Sequence, residues 1–183
     1  IDVGQSAYQV NVVKYTEKKL TILSTQSDSN LGGRDFDLAI GNWCADEFVK
    51  KYPKVADPRT LPKSWMKLLA AAEKGKKTLS PSGVKEARIN VECLAEERDF
   101  SGTLSDVAFE EIVRSLLDRL AAPIERALAE SKISRDQLAT VELVGGGTRV
   151  ACLKKELAKI LNLDVTSTAN FGLSTTMNAD EAV

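Results

Sequence analysis

The apolar residues of this chain change period partway along it. Tyr8, Val10 and Val12 alternate with Gln9 and Asn11, the pattern of a half-buried strand. A charged turn, Glu17-Lys18-Lys19, leads into a second β-rich run from Leu20 to Thr25. Ser27-Asp28-Ser29-Asn30 and the Gly32-Gly33 pair then break the pattern. From Phe36 to about Tyr52 the spacing is helical, with Phe36, Ile40, Trp43, Cys44 and Phe48 three or four apart, which makes Trp43 a core residue. Pro53, Pro58 and Pro62 mark the crossing to a second helix, Lys63 to Leu79, whose stripe includes Trp65.

Alternation returns over Ala87 to Leu94, with Asp99 to Thr103 as its hairpin partner. Ser105 has the chemistry of an N-cap for a long helical stretch through Leu120, which Pro123 separates from a further helix over Ile124 to about Ser131. Thr140 to Val144 reads as a short buried strand, Gly145-Gly146-Gly147 as a turn, and Arg149 to Leu161 as a helix. Strands first, helices and a hairpin in the middle, then strand and helix again: this order predicts an α/β base with a smaller α+β piece inserted at Gly32-Gly33.

Composition sets limits on the chemistry. The 183 residues include no histidine, which removes His-dependent triads, His metal sites and His general bases from this chain. Lys+Arg of 25 against Asp+Glu of 26 leaves a formal charge of −1, so there is no overall electrostatic pull toward nucleic acid or an anionic membrane. Cys44, Cys93 and Cys152 are widely spaced and form neither a zinc pattern nor a disulfide framework, which favours a reducing compartment. No apolar run approaches the ~20 residues of a membrane span. Ile1-Asp2-Val3 reads as a strand already under way and Asn178 to Val183 as a helix cut short, so the chain is expected to be a piece of a longer protein.

Three features could carry chemistry. The triple glycine between a buried strand and a helix either packs tightly as a turn or lets an anion approach the backbone; it is neither a Walker A loop nor GxGxxG. Glu73, Lys76, Lys77 and Ser80 share one helix face, roughly 100° from the stripe of Leu61, Trp65, Leu68, Ala72 and Leu79. They therefore border the buried face, as cleft residues or as a solvated Glu–Lys pair. Asp2, beside Gly4, either orients a metal-bound water near phosphates or makes a local turn bond. Asp35 and Asp37 read as first-turn helix acids favoured by the dipole.

Taken in order, Asp2-Val3-Gly4, Leu31 to Asp37, Glu73 to Ser80, Val144 to Arg149 and Asn178 to Val183 closely resemble the 70-kDa heat-shock chaperone superfamily. The likeness spans essentially the whole chain and corresponds to the second lobe of an actin-like, ribonuclease-H-like nucleotide-binding domain. It implies a base subdomain of residues 1–32 and 114–183 and an inserted upper subdomain of residues 33–113. It also implies that Glu73 and Lys76 lie near a ribose and that Lys77 and Ser80 flank an adenine. Gly145, Gly146 and Arg149 match a second adenosine motif, Asp180 the final one, and Asp2 and Gly4 the phosphate-facing turn. The implied ligand is ATP or ADP with Mg, and the lysine that aids hydrolysis belongs to a lobe this chain lacks. No catalytic residue and no protein-held metal are expected here.

The departures from the 70-kDa pattern resemble the 110-kDa branch. Gly4-Gln5-Ser6-Ala7 stands where a Gly-Gly-Gly-Thr run is usual, Arg34 replaces an acid, Lys77 replaces an arginine, and Ala179 replaces a proline. Side chains at Gln5 to Ala7 occupy space that glycine leaves open to phosphate. A lysine stacks on a base less well than a planar guanidinium. The branch implies a cytoplasmic stress-response protein that exchanges nucleotide on a 70-kDa chaperone and prevents aggregation of unfolded clients. The alternatives are a divergent ATP-hydrolysing chaperone, or a stable domain whose nucleotide contacts are vestigial. The lobe alone is expected to be inactive, and its parent a weak ATPase at most.

Overall fold

Alternation at the start of the chain folds as expected, and it anchors the first of two compact units. The computed structural model describes residues 1–81 and 83–162, together with the short strand Phe171–Leu173. One unit comprises Ile1–Gly33 with Leu116–Val183, the other Arg34–Ser115, and the fold is mixed α/β.

In the first unit β1 (Asp2–Val3), β2 (Tyr8–Thr16) and β3 (Lys19–Asp28) form an antiparallel sheet in that order. A bulge at Leu23 puts Ile22 and Leu20 opposite Val13 and Tyr15. The strand β6 (Val141–Leu143) pairs in parallel with β7 (Phe171–Leu173). Bonds from Val3 N–H to Val144 O (3.0 Å) and from Val144 N–H to Ile1 O (2.9 Å) lay the end of β6 beside β1. The strands therefore succeed one another as β3, β2, β1, β6, β7. The helix α5 (Ala121–Ser131) packs on β2 and β3, and Tyr8, fully buried, donates its hydroxyl to Leu120 O at 3.2 Å. The helix α6 (Ala151–Leu161) buries Leu153, Leu157 and Leu161.

At the rim of this sheet Arg119 grips Asp28 with Nη2 at 2.7 and 2.6 Å and Nε at 3.1 Å. Burial works against the Asp28 charge, but the Arg119 bonds and the Asn30 N–H outweigh it and hold the carboxyl below its ordinary value. A depressed carboxyl contributes stability above its unfolded value, and that contribution is lost as pH falls through the folded value. Below about pH 4 the acid limb of an Arg119→Met variant should therefore be shallower than the wild-type limb in urea titrations. Parallel limbs would show that the pair contributes nothing.

In the second unit α1 (Gly33–Lys51) and α2 (Pro62–Leu79) accompany a hairpin of β4 (Glu86–Ala95) and β5 (Arg98–Ser105). Ala87, Ile89 and Val91 form the buried face of β4, and Leu68, Ala72 and Leu79 the buried stripe of α2. Phe36 and Phe109 meet at 6.4 Å. The hairpin turns through Glu96 and Glu97, both left-handed at φ 47° and 59°. The two-residue turn that matches strand twist needs this backbone, which glycine adopts without strain. Glu96 accepts from Ala56 N–H, whereas Glu97 is exposed. We expect Glu97→Gly to raise stability by about 0.5–1 kcal/mol in urea unfolding, and any loss would show the strain to be absent.

Two expected boundaries move. The stretch from Ser105 is capped as foreseen, with the hydroxyl accepting from Ala108 N–H at 3.1 Å, but it is not one helix to Leu120. It splits into α3 (Asp106–Ile112), α4 (Arg114–Leu117) and a 3-10 turn over Asp118–Leu120. The break falls at Val113 (φ −96°, ψ 7°), just before the chain passes from one unit to the other. Pro123 interrupts nothing: it lies in the first turn of α5, where its missing N–H has no intrahelical partner to lose. Trp43 and Trp65 are only half-buried rather than core. Among the described residues no helix is long and apolar enough to cross a membrane.

Candidate functional site

In the first unit the candidates are set by the ends of β1 and β6. Asp2 lies on β1 beside the turn Gly4–Ala7, which closes through Gly4 N–H to Ala7 O (3.0 Å). Gly33 N–H donates to Gly4 O at 2.9 Å, so this turn is tied to the residue where α1 starts. The contact is close: a Cβ on Gly32 would lie 2.7 Å from Ala7 N, Gln5 O and Ser6 C. Gln5 and Ser6 themselves are exposed.

The parallel bridge between Asp2 and Val144 brings the triple glycine to the same edge. Gly145 is left-handed (φ 87°, ψ 152°), and a Cβ there would collide with Val3 O and Asp2 Oδ1. Gly146 faces open space, with nothing within 4 Å of a Cβ built on it. Thr148, buried, donates its hydroxyl to Gly145 O at 2.7 Å. Gly146–Arg149 form a 3-10 turn, and extended Val150 separates it from α6. The expected helix start at Arg149 thus moves to Ala151, and the backbone donors beside the glycines belong to that turn. Arg149 is exposed.

In the second unit the four α2 candidates occupy successive turns of one face. Lys77 pairs with Glu73 at 2.7 Å, both side chains well exposed, at 70% and 43%. The Lys77 hydrogen bond, aided by the field of Lys76, holds the Glu73 carboxyl below its ordinary value. Ser80 donates its hydroxyl to Lys76 O at 2.9 Å. Lys76 differs: its side chain is only 9% exposed, and its ammonium lies 2.8 Å from Asp37 Oδ1 on α1. That oxygen accepts no hydrogen bond of ordinary direction, so what answers it is the charge of the ammonium. Asp37 is buried and stands at the fifth position of α1, so it is not the first-turn acid expected; Asp35, half-buried, does lie in the first turn.

The structure thus assembles Asp2, Gly4, Gly145 and Gly146 along one edge of the first unit. It assembles Glu73, Lys76, Lys77 and Ser80 along one face of α2 in the second. Asp180 lies outside the described residues. Sequence reasoning missed Asp37 as a partner of Lys76; its place on the helix face of Phe36 and Ile40 signals burial, but not which cation meets it. A groove of about 420 Å³ between α1 and β5, lined by Trp43, Glu47, Phe100 and Thr103 among others, includes none of the candidates.

The family model for Hsp70 protein matches residues 1–183. A heat shock protein homolog of Saccharomyces cerevisiae is 39% identical over 183 residues, which is all of this chain and 25% of that protein. Heat shock 70 kDa protein 4 of Homo sapiens is 36% identical over the same 183 residues, 20% of its length, and the 97 kDa heat shock protein of Strongylocentrotus purpuratus is 33% identical, over 19% of its length. The chain therefore spans a fifth to a quarter of these relatives. Matched over its whole length, this chain belongs to the Hsp70 family, among relatives of the 110-kDa branch.

Proposed function

We propose that this chain is the second lobe of an actin-like nucleotide-binding domain, with residues 1–32 and 114–183 as its base and 33–113 as the inserted upper subdomain. In this reading the lobe holds the adenosine of ATP or ADP. Glu73 and Lys76 serve the ribose, Lys77 and Ser80 the adenine, and Gly145, Gly146, Arg149 and Asp180 the other side of the nucleoside. Asp2 and Gly4 face the phosphates. The observation that carries the reading is the parallel bridge from Asp2 to Val144, which unites two motifs from opposite ends of the sequence. The strand succession β3, β2, β1, β6, β7 supports it.

The residues suit a nucleotide better than a resident metal. Open space over Gly146 leaves backbone accessible to a ligand. Among the described residues no group of three or more carboxylates or thiols could hold a metal ion. Mg would enter with the phosphates, whose charge it would offset, and Asp2 would be the carboxylate that meets its water shell. Side chains at Gln5 to Ala7, where an unbroken glycine run would leave space, would crowd a bound phosphate, which supports a structural rather than a hydrolytic use of ATP.

The parent protein is then a cytoplasmic exchange factor for a 70-kDa chaperone that also keeps unfolded clients from aggregating. Nucleotide shapes it by linkage rather than turnover. Release of labelled ADP from a 70-kDa chaperone should accelerate when the intact parent is added, and an unchanged release rate would refute the assignment. The second reading, a divergent ATP-hydrolysing chaperone, draws support from the closed Gly4–Ala7 turn, which keeps a hairpin despite its side chains. Single-turnover hydrolysis by the parent at the rate of a 70-kDa chaperone, stimulated by a J-domain protein, would favour it.

A further inference from the structure

A lysine side chain has a long flexible stem, and an ammonium left to itself samples many directions. Lys76 is not left to itself. Its stem is buried on α2 and its ammonium is held at 2.8 Å from Asp37 Oδ1, a carboxylate carried by a different helix and itself 6% exposed. The attraction between the two buried charges, with the stem packed, confines where the ammonium can sit. The Lys76 charge is also felt by Glu73 one turn earlier.

We infer that Asp37 is a positioning residue: by holding the Lys76 ammonium by charge between α1 and α2, it sets the place from which Lys76 addresses the sugar hydroxyls of a bound ribonucleotide. This rests on the proposed adenosine site and deepens it. Without Asp37 the lysine still attracts a nucleotide by charge, but it no longer reads the sugar. Discrimination between ribose and deoxyribose should therefore depend on a residue that need not touch the ligand.

The test uses the intact parent protein and three probes: ATP, 2′-deoxy-ATP and 3′-deoxy-ATP, titrated by calorimetry. In the wild type at least one deoxy analogue should bind about tenfold more weakly than ATP. In D37N that ratio should fall toward one, and K76M should lose it to the same degree, with no further loss in the double variant. A merely structural role for Asp37 would weaken all three probes alike and leave the ratio intact, which would overturn the inference. If D37N or K76M does not fold, D37E and K76R carry the same test, because each keeps the charge and shifts the cation; an unchanged ratio in both is equally decisive. A parent that binds none of the probes, or K76M with an undiminished ratio, would instead refute the adenosine site itself and the inference with it.

Discussion

Replacing Gly145 by alanine should cost the first unit about 4 kcal/mol, most of the stability of a domain at the low end of the usual range of about 5–15 kcal/mol. Two penalties act together. The backbone at φ 87°, ψ 152° lies in a region that residues with a Cβ almost never enter. The added methyl would also collide with Val3 O and Asp2 Oδ1, and Val3 is fixed by its bond to Val144. Gly146→Ala is the control. Nothing lies within 4 Å of its Cβ, so its stability should stay within about 0.5 kcal/mol of wild type. Hydrogen exchange of the Val3 and Val144 amides, read during urea titration, separates the two variants. Equal protection in both would mean that the β1–β6 junction does not depend on this turn.

The junction also shows what could be seen in the sequence. Period-two alternation announced β2 and β4, and helical spacing announced α1, α2 and α6, because each has one face on a core and one in water. Ser105 could be read as a cap because the cap is a local event, one hydroxyl and an N–H three residues on. The break at Val113 could not, since apolar residues continue at helical spacing through Leu116, Leu117 and Leu120 while the chain leaves one unit for the other. Pro123 misled for a related reason: a proline ends a helix or begins one, and only the preceding turn decides.

The same divide runs through the candidate site. The glycines of 145–147 and the α2 quartet were visible as local patterns. That Asp2 neighbours Gly145 was not, because parallel pairing joins residues separated by most of the chain. Asp37 was misplaced because an acid near a helix start has a sufficient local explanation in the dipole. Nothing in the one-dimensional pattern says that a lysine two elements later will bury its ammonium against it.

That buried pair sets the second large effect. Lys76→Met should destabilise the second unit by about 3–5 kcal/mol, since it leaves a carboxylate that is 6% exposed with no cation to answer it. The single change is severe because a lone buried charge retains its desolvation cost after losing its compensation. Removing both charges tells a different story. In Asp37→Leu with Lys76→Met the desolvation cost vanishes from both sides, and two apolar side chains of similar reach take the place of the pair, so the double variant should lie within about 1 kcal/mol of wild type. Trp43 and Trp65 both lie in the second unit, so their fluorescence during urea unfolding reports on it directly. A coupling of several kcal/mol between the two sites is then expected from the cycle. A loss below about 1 kcal/mol in Lys76→Met alone would mean that water reaches Asp37 once the lysine is gone. If the double variant is as stable as expected but has lost its preference for ribose, the pair is kept for what it recognises and not for the fold, because stability alone gives no reason to bury two charges where leucine and methionine would serve.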